Sequence, residues 1–273
     1  LIPPEMAAKA EQLGVKKAHM NVVSVFVLAV LAGAFISLGA IFSTTVTAGA
    51  GESLPYGVTR LLAGLVFSLG LILVIVGGAE LFTGNNLIVM AWASRKVSTA
   101  LLLKNWIVVY AGNFVGAIGT AALIFYSGQF AFGQGAVGAA ALATASGKTG
   151  LGFFQALALG VLCNALVCLA VWLTFSARTT TDRILAIIPP ITAFVAAGFE
   201  HSIANMYFIP VGLFIKAGAP ESFWASIGKT AADYPSLTWG NFFLGNLLPV
   251  TIGNVIGGAV LVGAVYWFVY LRK

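Results

Sequence analysis

Residues 79–86 read AELFTGNN and residues 199–205 read FEHSIAN. Each string interrupts a long apolar block, and each carries a glutamate with an asparagine five positions on: Glu80 with Asn85, Glu200 with Asn205. A charged group near a bilayer centre costs about 2.5–3.5 kcal/mol on insertion scales. Two such strings, matched in pattern, therefore mark places where the chain stops being simple membrane helix. The chain around them is 273 residues long, 60% hydrophobic and 8% charged, with mean hydropathy +1.00. A soluble domain needs a far more charged surface, so the composition excludes one. A predominantly apolar run of about 20 residues spans a bilayer. Six apolar blocks follow one another at about 21–47, 57–92, 100–127, 151–176, 184–215 and 238–271. The quoted strings fall in the second and fifth.

Other positions match in the same order. Gly112-Asn113-x-x-Gly116 in the third block corresponds to Gly253-Asn254-x-x-Gly257 in the sixth, each with an asparagine eight residues earlier, Asn105 and Asn246. The first and fourth blocks match through Gly33 with Ser37 and Gly160 with Asn164. The chain thus reads as three spans repeated twice, repeat one over 21–127 and repeat two over 151–271. An odd number of spans forces the repeats to cross in opposite senses. The expected fold is an all-α polytopic membrane protein of two inverted three-span repeats, with the second and fifth helices broken. The glycine ladders let helices pack closely. Trp92, Trp106, Trp172 and Trp267 lie near span ends, where aromatic belts form. Cys163 and Cys168 fit neither a C-x-x-C nor a zinc pattern, and read as packing thiols.

The first residues, PPEMAAKAEQLGVKKAH over 3–19, are too polar to span and predict an amphipathic helix on the membrane surface, a segment of its own over 1–20 before a channel domain over 21–273. Leu1 in place of an initiator methionine predicts a longer natural N-terminus, and no cleavable signal peptide is visible. Six spans put both termini on one side. That side collects Lys9, Lys16, Lys17, Arg95, Lys96, Lys104, Arg178, Arg183, Arg272 and Lys273, against Arg60, Lys148, Lys216 and Lys229 on the other. Ten against four makes the termini side cytoplasmic. The net charge of +6 is mostly this bias, so it implies no nucleic-acid partner.

Glu80 and Glu200 repeat with the pseudosymmetry, as structural acceptors would, and are expected to take backbone N–H groups freed at the breaks. His201 is different, because its counterpart is Leu81. It is either a satisfied core histidine or a pore group that gives an anion a hydrogen bond or a proton. Two inverted half-helix N-termini would direct N–H groups and partial positive charge to one region, which favours an anion. Thr83 adds a hydroxyl and Asn164 an amide. Lys148 either draws anions into an outer vestibule or is a solvated loop lysine. Paired pore histidines, as an ammonium channel wants, and the twin Asn-Pro-Ala loops of water channels are absent from the sequence. One midplane histidine is too few to ligate a redox or metal cofactor. No enzyme activity, cofactor or metal is expected.

AELFTGNN, GFEHSIANM, LLPVTIGN and KNWIVVYAGNFVGA together resemble the signatures of the formate/nitrite transporter family over nearly the whole chain, most nearly its bacterial formate channels. The resemblance implies an aquaporin-like protomer in a homopentamer of the bacterial inner membrane, with a pore through each protomer. It implies formate as the passenger, with nitrite or hydrosulfide as alternatives. Carried over by motif, His201 is the pore histidine and Thr83 its partner, and Asn164 and Lys148 line the pore or its outer approach. Leu71 and Leu81 would line the cytoplasmic constriction, and Phe67, Val167 and Phe194 the outer one. The N-terminal helix resembles one that closes the pore at low pH.

Overall fold

Glycine ends the helices where the sequence announces a break. The computed structural model describes residues 1–51 and 53–272 and is helical throughout; Lys273, counted above among the positive charges, lies outside the described residues. Helix α1 covers Pro3–Ala18 and α2 Val22–Thr47, the latter opened by Asn21, whose side chain accepts from the Val23 and Ser24 N–H groups. Helix α3 (Tyr56–Gly77) stops because Gly78 turns left-handed at φ +81°, a conformation that costs glycine nothing. After the break the chain re-forms only piecemeal, as α4 (Phe82–Asn85), a 3-10 turn at Asn86–Ile88 and α5 (Val89–Ala93). Helix α6 (Thr99–Tyr126) follows, then α7 (Ala136–Thr149) and α8 (Phe153–Thr174). Helix α9 (Thr180–Ala196) opens on a Thr179–Asp182 capping box and ends before Gly198, at φ +76°. Here the continuation is one unbroken helix, α10 (Ser202–Gly218). A short α11 (Glu221–Ile227) and the last helix, α12 (Asn241–Tyr270), complete the chain. Helix α12 widens to π-type turns at Asn241–Leu247 and Ile256–Ala264.

Among the described residues, α2, α3, α6, α8 and α12 are long and apolar enough to cross a membrane, and α10 with α11, bent by 113°, makes up to six. The second and fifth blocks are each split at the quoted strings.

The stretch between the third and fourth blocks holds a helix, α7, where a loop was expected. Its run of alanine, glycine and threonine is helix-compatible but gives no strong apolar stripe. Trp172 and Trp106 are not belt residues: Trp172 is buried and stacks on Tyr266 at 4.1 Å, and Trp106 donates to the Asn85 carbonyl. The register of the first and fourth blocks is also one helical turn off. The Glu80 N–H donates to the Leu28 carbonyl and the Glu200 N–H to the Leu159 carbonyl. Asn113 donates to the Ala29 carbonyl and Asn254 to that of Gly160. The equivalent positions are therefore Ala29 with Gly160, so Gly33 faces the role of Asn164 and Ser37 that of Cys168.

Close backbone approach holds the layers together. A Cβ on Gly116 would stand 1.9 Å from the Val30 carbonyl oxygen, and one on Gly257 would stand 2.1 Å from that of Val161. Both obstacles are backbone, so they move only if α2 or α8 moves. Gly116→Ala is expected to cost about 1–3 kcal/mol by overpacking. Gly119→Ala, with open space around it, should be neutral or stabilising by up to about 1 kcal/mol. Thermal unfolding of the two variants in detergent checks this; equal midpoints would refute the packing account.

Candidate functional site

The backbone groups freed at each break must be satisfied inside the protein, because lipid offers no partners. An asparagine from the following long helix does this twice. Asn113 on α6 accepts from the Phe82 N–H at 2.9 Å and donates to the Ala29 and Glu80 carbonyls at 2.7 and 2.9 Å. Asn254 on α12 accepts from the Ser202 N–H at 2.9 Å and donates to the Gly160 and Glu200 carbonyls at 2.8 and 3.0 Å. The glutamates do not take the freed N–H groups as expected. Their carboxylates instead face lysines and asparagine side chains.

Glu80 accepts from Lys17 Nζ at 2.9 Å and from Asn85 Nδ2 at 2.7 Å, and Asn85 also donates to Asn105. Glu200 accepts from Lys148 Nζ at 2.6 Å and from Asn205 and Asn246 at 2.7 and 3.2 Å. Asn105 and Asn246 in turn donate to the main-chain carbonyls of Lys17 and Lys148. So Lys17, near the end of α1, and Lys148, near the end of α7, hold equivalent places. Lys148 is neither in a loop nor solvated; its side chain is 16% exposed and lies over the Phe208 ring. The two clusters differ in detail: Asn246 donates to Glu200, while Asn105 has no such bond to Glu80. Lys17 also donates to Asn85 Oδ1, whereas Asn205 Oδ1 has no partner among the described residues.

Each lysine stands in a vestibule. The larger, about 360 Å³, is lined by Arg60, Lys148, Glu200, His201, Phe67 and Phe194 among others. The smaller, about 230 Å³, is lined by Lys17, Glu80, Leu71, Leu81 and part of α1. They share no lining residue. Between them the buried section holds Thr83 and Val167, which line neither. Phe67 and Phe194 meet edge to face at 5.7 Å, and Phe194 stacks on His201 at 5.9 Å.

At the centre His201 Nε2 lies 3.0 Å from Thr83 Oγ1. The other ring nitrogen, Nδ1, accepts from the Ala204 N–H at 3.1 Å and so caps α10. That bond fixes the neutral tautomer: Nδ1 is bare, Nε2 carries the hydrogen and donates to Thr83. The Thr83 hydroxyl hydrogen is then left to donate elsewhere. Asn164 Nδ2 lies 2.7 Å from both Asn86 Oδ1 and the Asn254 carbonyl, and 3.3 Å from the Thr83 carbonyl, to which the Cys168 thiol also donates. Gly258 makes room for it, since a Cβ there would sit 2.3 Å from Asn164 Nδ2. The expectation of free N–H groups at the half-helix ends is narrowed: those of Phe82, Ser202 and Ala204 are taken by side chains. Around the centre an anion meets Lys17, Lys148 and Arg60, one hydroxyl and the dipole of α10.

Sequence reasoning missed Lys17, Arg60 and the clasping role of Asn113 and Asn254. The asparagines were visible in the repeat, but the lysines were not. Lys17 precedes its glutamate by 63 residues and Lys148 by 52, so no fixed spacing relates them. Among the described residues no group of three His, Cys, Asp or Glu is placed to hold a metal.

Two charged vestibules meeting at a closed centre between broken helices define a membrane channel or transporter. The chain belongs to the formate/nitrite transporter family, whose model, described as formate/nitrite transporter, matches residues 4–268. It is 46% identical over 273 residues to the formate channel FocA of Escherichia coli K12, covering 100% of this chain and 95% of that protein. It is 44% identical over 264 residues to the formate channel FocA of Haemophilus influenzae, covering 96% and 92%. Among solved structures it resembles a pentameric formate channel with formate bound, at a TM-score of 0.87 and 49% identity, covering 92% of this chain and 98% of that one.

Proposed function

We propose that this chain passes formate, and related small monovalent anions, across the bacterial inner membrane through a pore in each protomer of a homopentamer. The observation that carries the reading is the placing of two lysine–glutamate vestibules on either side of the Thr83–His201 pair. The similarity to formate channels supports the passenger and the pentamer. The matched clasps support two inverted three-span repeats in an aquaporin-like fold, and the matched lysines extend each repeat to begin with a short helix, α1 or α7. The bias of ten positive charges against four supports both termini lying in the cytoplasm.

Formate entering either vestibule meets a lysine already paired with a buried glutamate, which lends attraction without trapping the anion. Passage beyond it requires shedding water against Phe67, Phe194, Leu71, Leu81 and Val167. An unpaired charge pays heavily for that, and a neutral acid does not. Proton gain before the apolar ring therefore lowers the barrier. With His201 Nδ1 held by the α10 cap, the ring acts as a neutral donor to Thr83, whose hydroxyl is free to bond a formate oxygen. The proton then arrives from the bulk as hydronium, relayed through vestibule water to the formate oxygen and leaving neutral water behind, and His201 sets the orientation of the Thr83 hydroxyl that holds the receiver. Glu80, Glu200, Asn85 and Asn205 keep the lysines and the breaks in place.

Flux into reconstituted vesicles, with internal pH recorded, tests the reading with formate, nitrite, hydrosulfide, acetate and glycerol. Formate flux with a matching pH change is expected. Rapid nitrite or hydrosulfide flux without formate flux would overturn the passenger, and glycerol flux would overturn the anion reading altogether.

A further inference from the structure

Arg60 stands at the start of the second turn of α3 and reaches the end of α9. Its Nε donates to the Ala196 carbonyl at 3.2 Å, and its Nη2 donates to the Val195 carbonyl. These are among the last carbonyls of α9, which find no partner within a helix. A planar guanidinium can take two carbonyls at once and opposes the negative end of the helix dipole. Gly198 lies alongside, where a Cβ would be 3.6 Å from Nη2. The Gly198 and Phe199 N–H groups donate back to the Val195 and Phe194 carbonyls. One arginine therefore fixes the strand of backbone that carries Phe194 on one side of the turn and Glu200 and His201 on the other.

The first break has no such clamp. Among the described residues no side chain donates to the Ile75, Val76 or Gly77 carbonyls at the end of α3. Arg60 also lines the larger vestibule itself. It therefore does two separable things: it holds the turn that bears the Phe194 ring, and it adds a fixed positive charge at the vestibule wall.

We infer that Arg60 is the positioning residue of the outer constriction and sets how large a carboxylate that constriction admits. The inference rests on the formate reading above for its choice of probes. The clamp holds Phe194 against Phe67 and His201; the charge raises the local concentration of any anion. Lysine in its place keeps the charge but cannot fork across two carbonyls.

The experiment compares wild type, Arg60→Lys and Arg60→Met in vesicles, with external formate, acetate and lactate. In Arg60→Met the half-saturating formate concentration is expected to rise about three- to tenfold from the lost charge. The acetate-to-formate flux ratio is expected to rise at least about threefold, because a looser Phe194 admits a larger ion. Arg60→Lys should restore the half-saturation and keep the raised ratio. Restoration of both, or an unchanged ratio in Arg60→Met, overturns the clamp. Hydrogen exchange at the Gly198 and Phe199 amides is read in parallel on Arg60→Lys. Faster exchange is expected, and wild-type exchange overturns the inference. That readout needs no transport, so if the wild type passes no formate the functional reading falls while the clamp is still decided.

Discussion

Vesicles carrying His201→Phe should pass formate at least about tenfold more slowly than wild type, with the residual flux still accompanied by a matching change of internal pH, because the proton reaches formate through water. Two separate losses lead there. Phenylalanine cannot accept from the Ala204 N–H, so α10 loses its N-terminal cap, worth about 1 kcal/mol. Nor can it donate to Thr83 Oγ1, so the hydroxyl that would meet the anion is left without the partner that orients it. Thr83→Val separates the two. It keeps the cap and removes the hydroxyl. If the hydroxyl is the group that faces formate, Thr83→Val reproduces the flux loss while the Ala204 amide exchanges as slowly as in wild type. Wild-type flux in His201→Phe would refute the role given to the histidine, and residual flux without a pH change would make the imidazole the carrier of the proton. Normal flux in Thr83→Val would move the contact with the anion from the hydroxyl to the imidazole.

The parts of this molecule that repeat were the parts legible in the sequence. Glu80–Asn85 and Glu200–Asn205 located both breaks, because a carboxylate inside an apolar block is conspicuous. Asn113 and Asn254 were visible as matched positions, but their task was given to the glutamates. Sequence shows which polar group stands next to a break in the chain; the group that reaches a freed N–H comes from a neighbouring helix. The register of α2 against α8 slipped by one turn for a related reason. Small residues recur about every four positions on a packed helix face, so a one-turn shift preserves the pattern, and the carbonyls accepting from Asn113, Asn254, Glu80 and Glu200 set it right. Helix α7 carried no apolar stripe, and its kinship with α1 rests on Lys17 and Lys148, which sit at unequal distances from their glutamates. Arg60 carried no local signal at all, since the carbonyls it holds lie about half the chain away in sequence.

Lys148→Met should be among the most destabilising single changes in the protein. The substitution keeps the length of the side chain and removes the charge, leaving Glu200, whose side chain is 6% exposed, as an uncompensated buried carboxylate. Breaking a buried pair from one side typically costs about 3–5 kcal/mol. The same change removes one of the two cations that line the larger vestibule, so formate flux should fall as well, and a single variant cannot say which loss is responsible. The double variant Lys148→Met with Glu200→Gln can. Glutamine still offers an oxygen to Asn205 and Asn246, which donate to Glu200 Oε2, and it carries no charge that needs a partner. Most of the lost stability should return, read as the unfolding midpoint in detergent. Flux should stay reduced, because the vestibule still lacks the Lys148 charge and keeps only that of Arg60. If stability and flux recover together, Lys148 serves the fold alone, and attraction of the anion must come from Arg60 and the dipole of α10. If flux recovers while stability stays low, the pair is not what holds the second break, and the clasp by Asn254 carries that task without it.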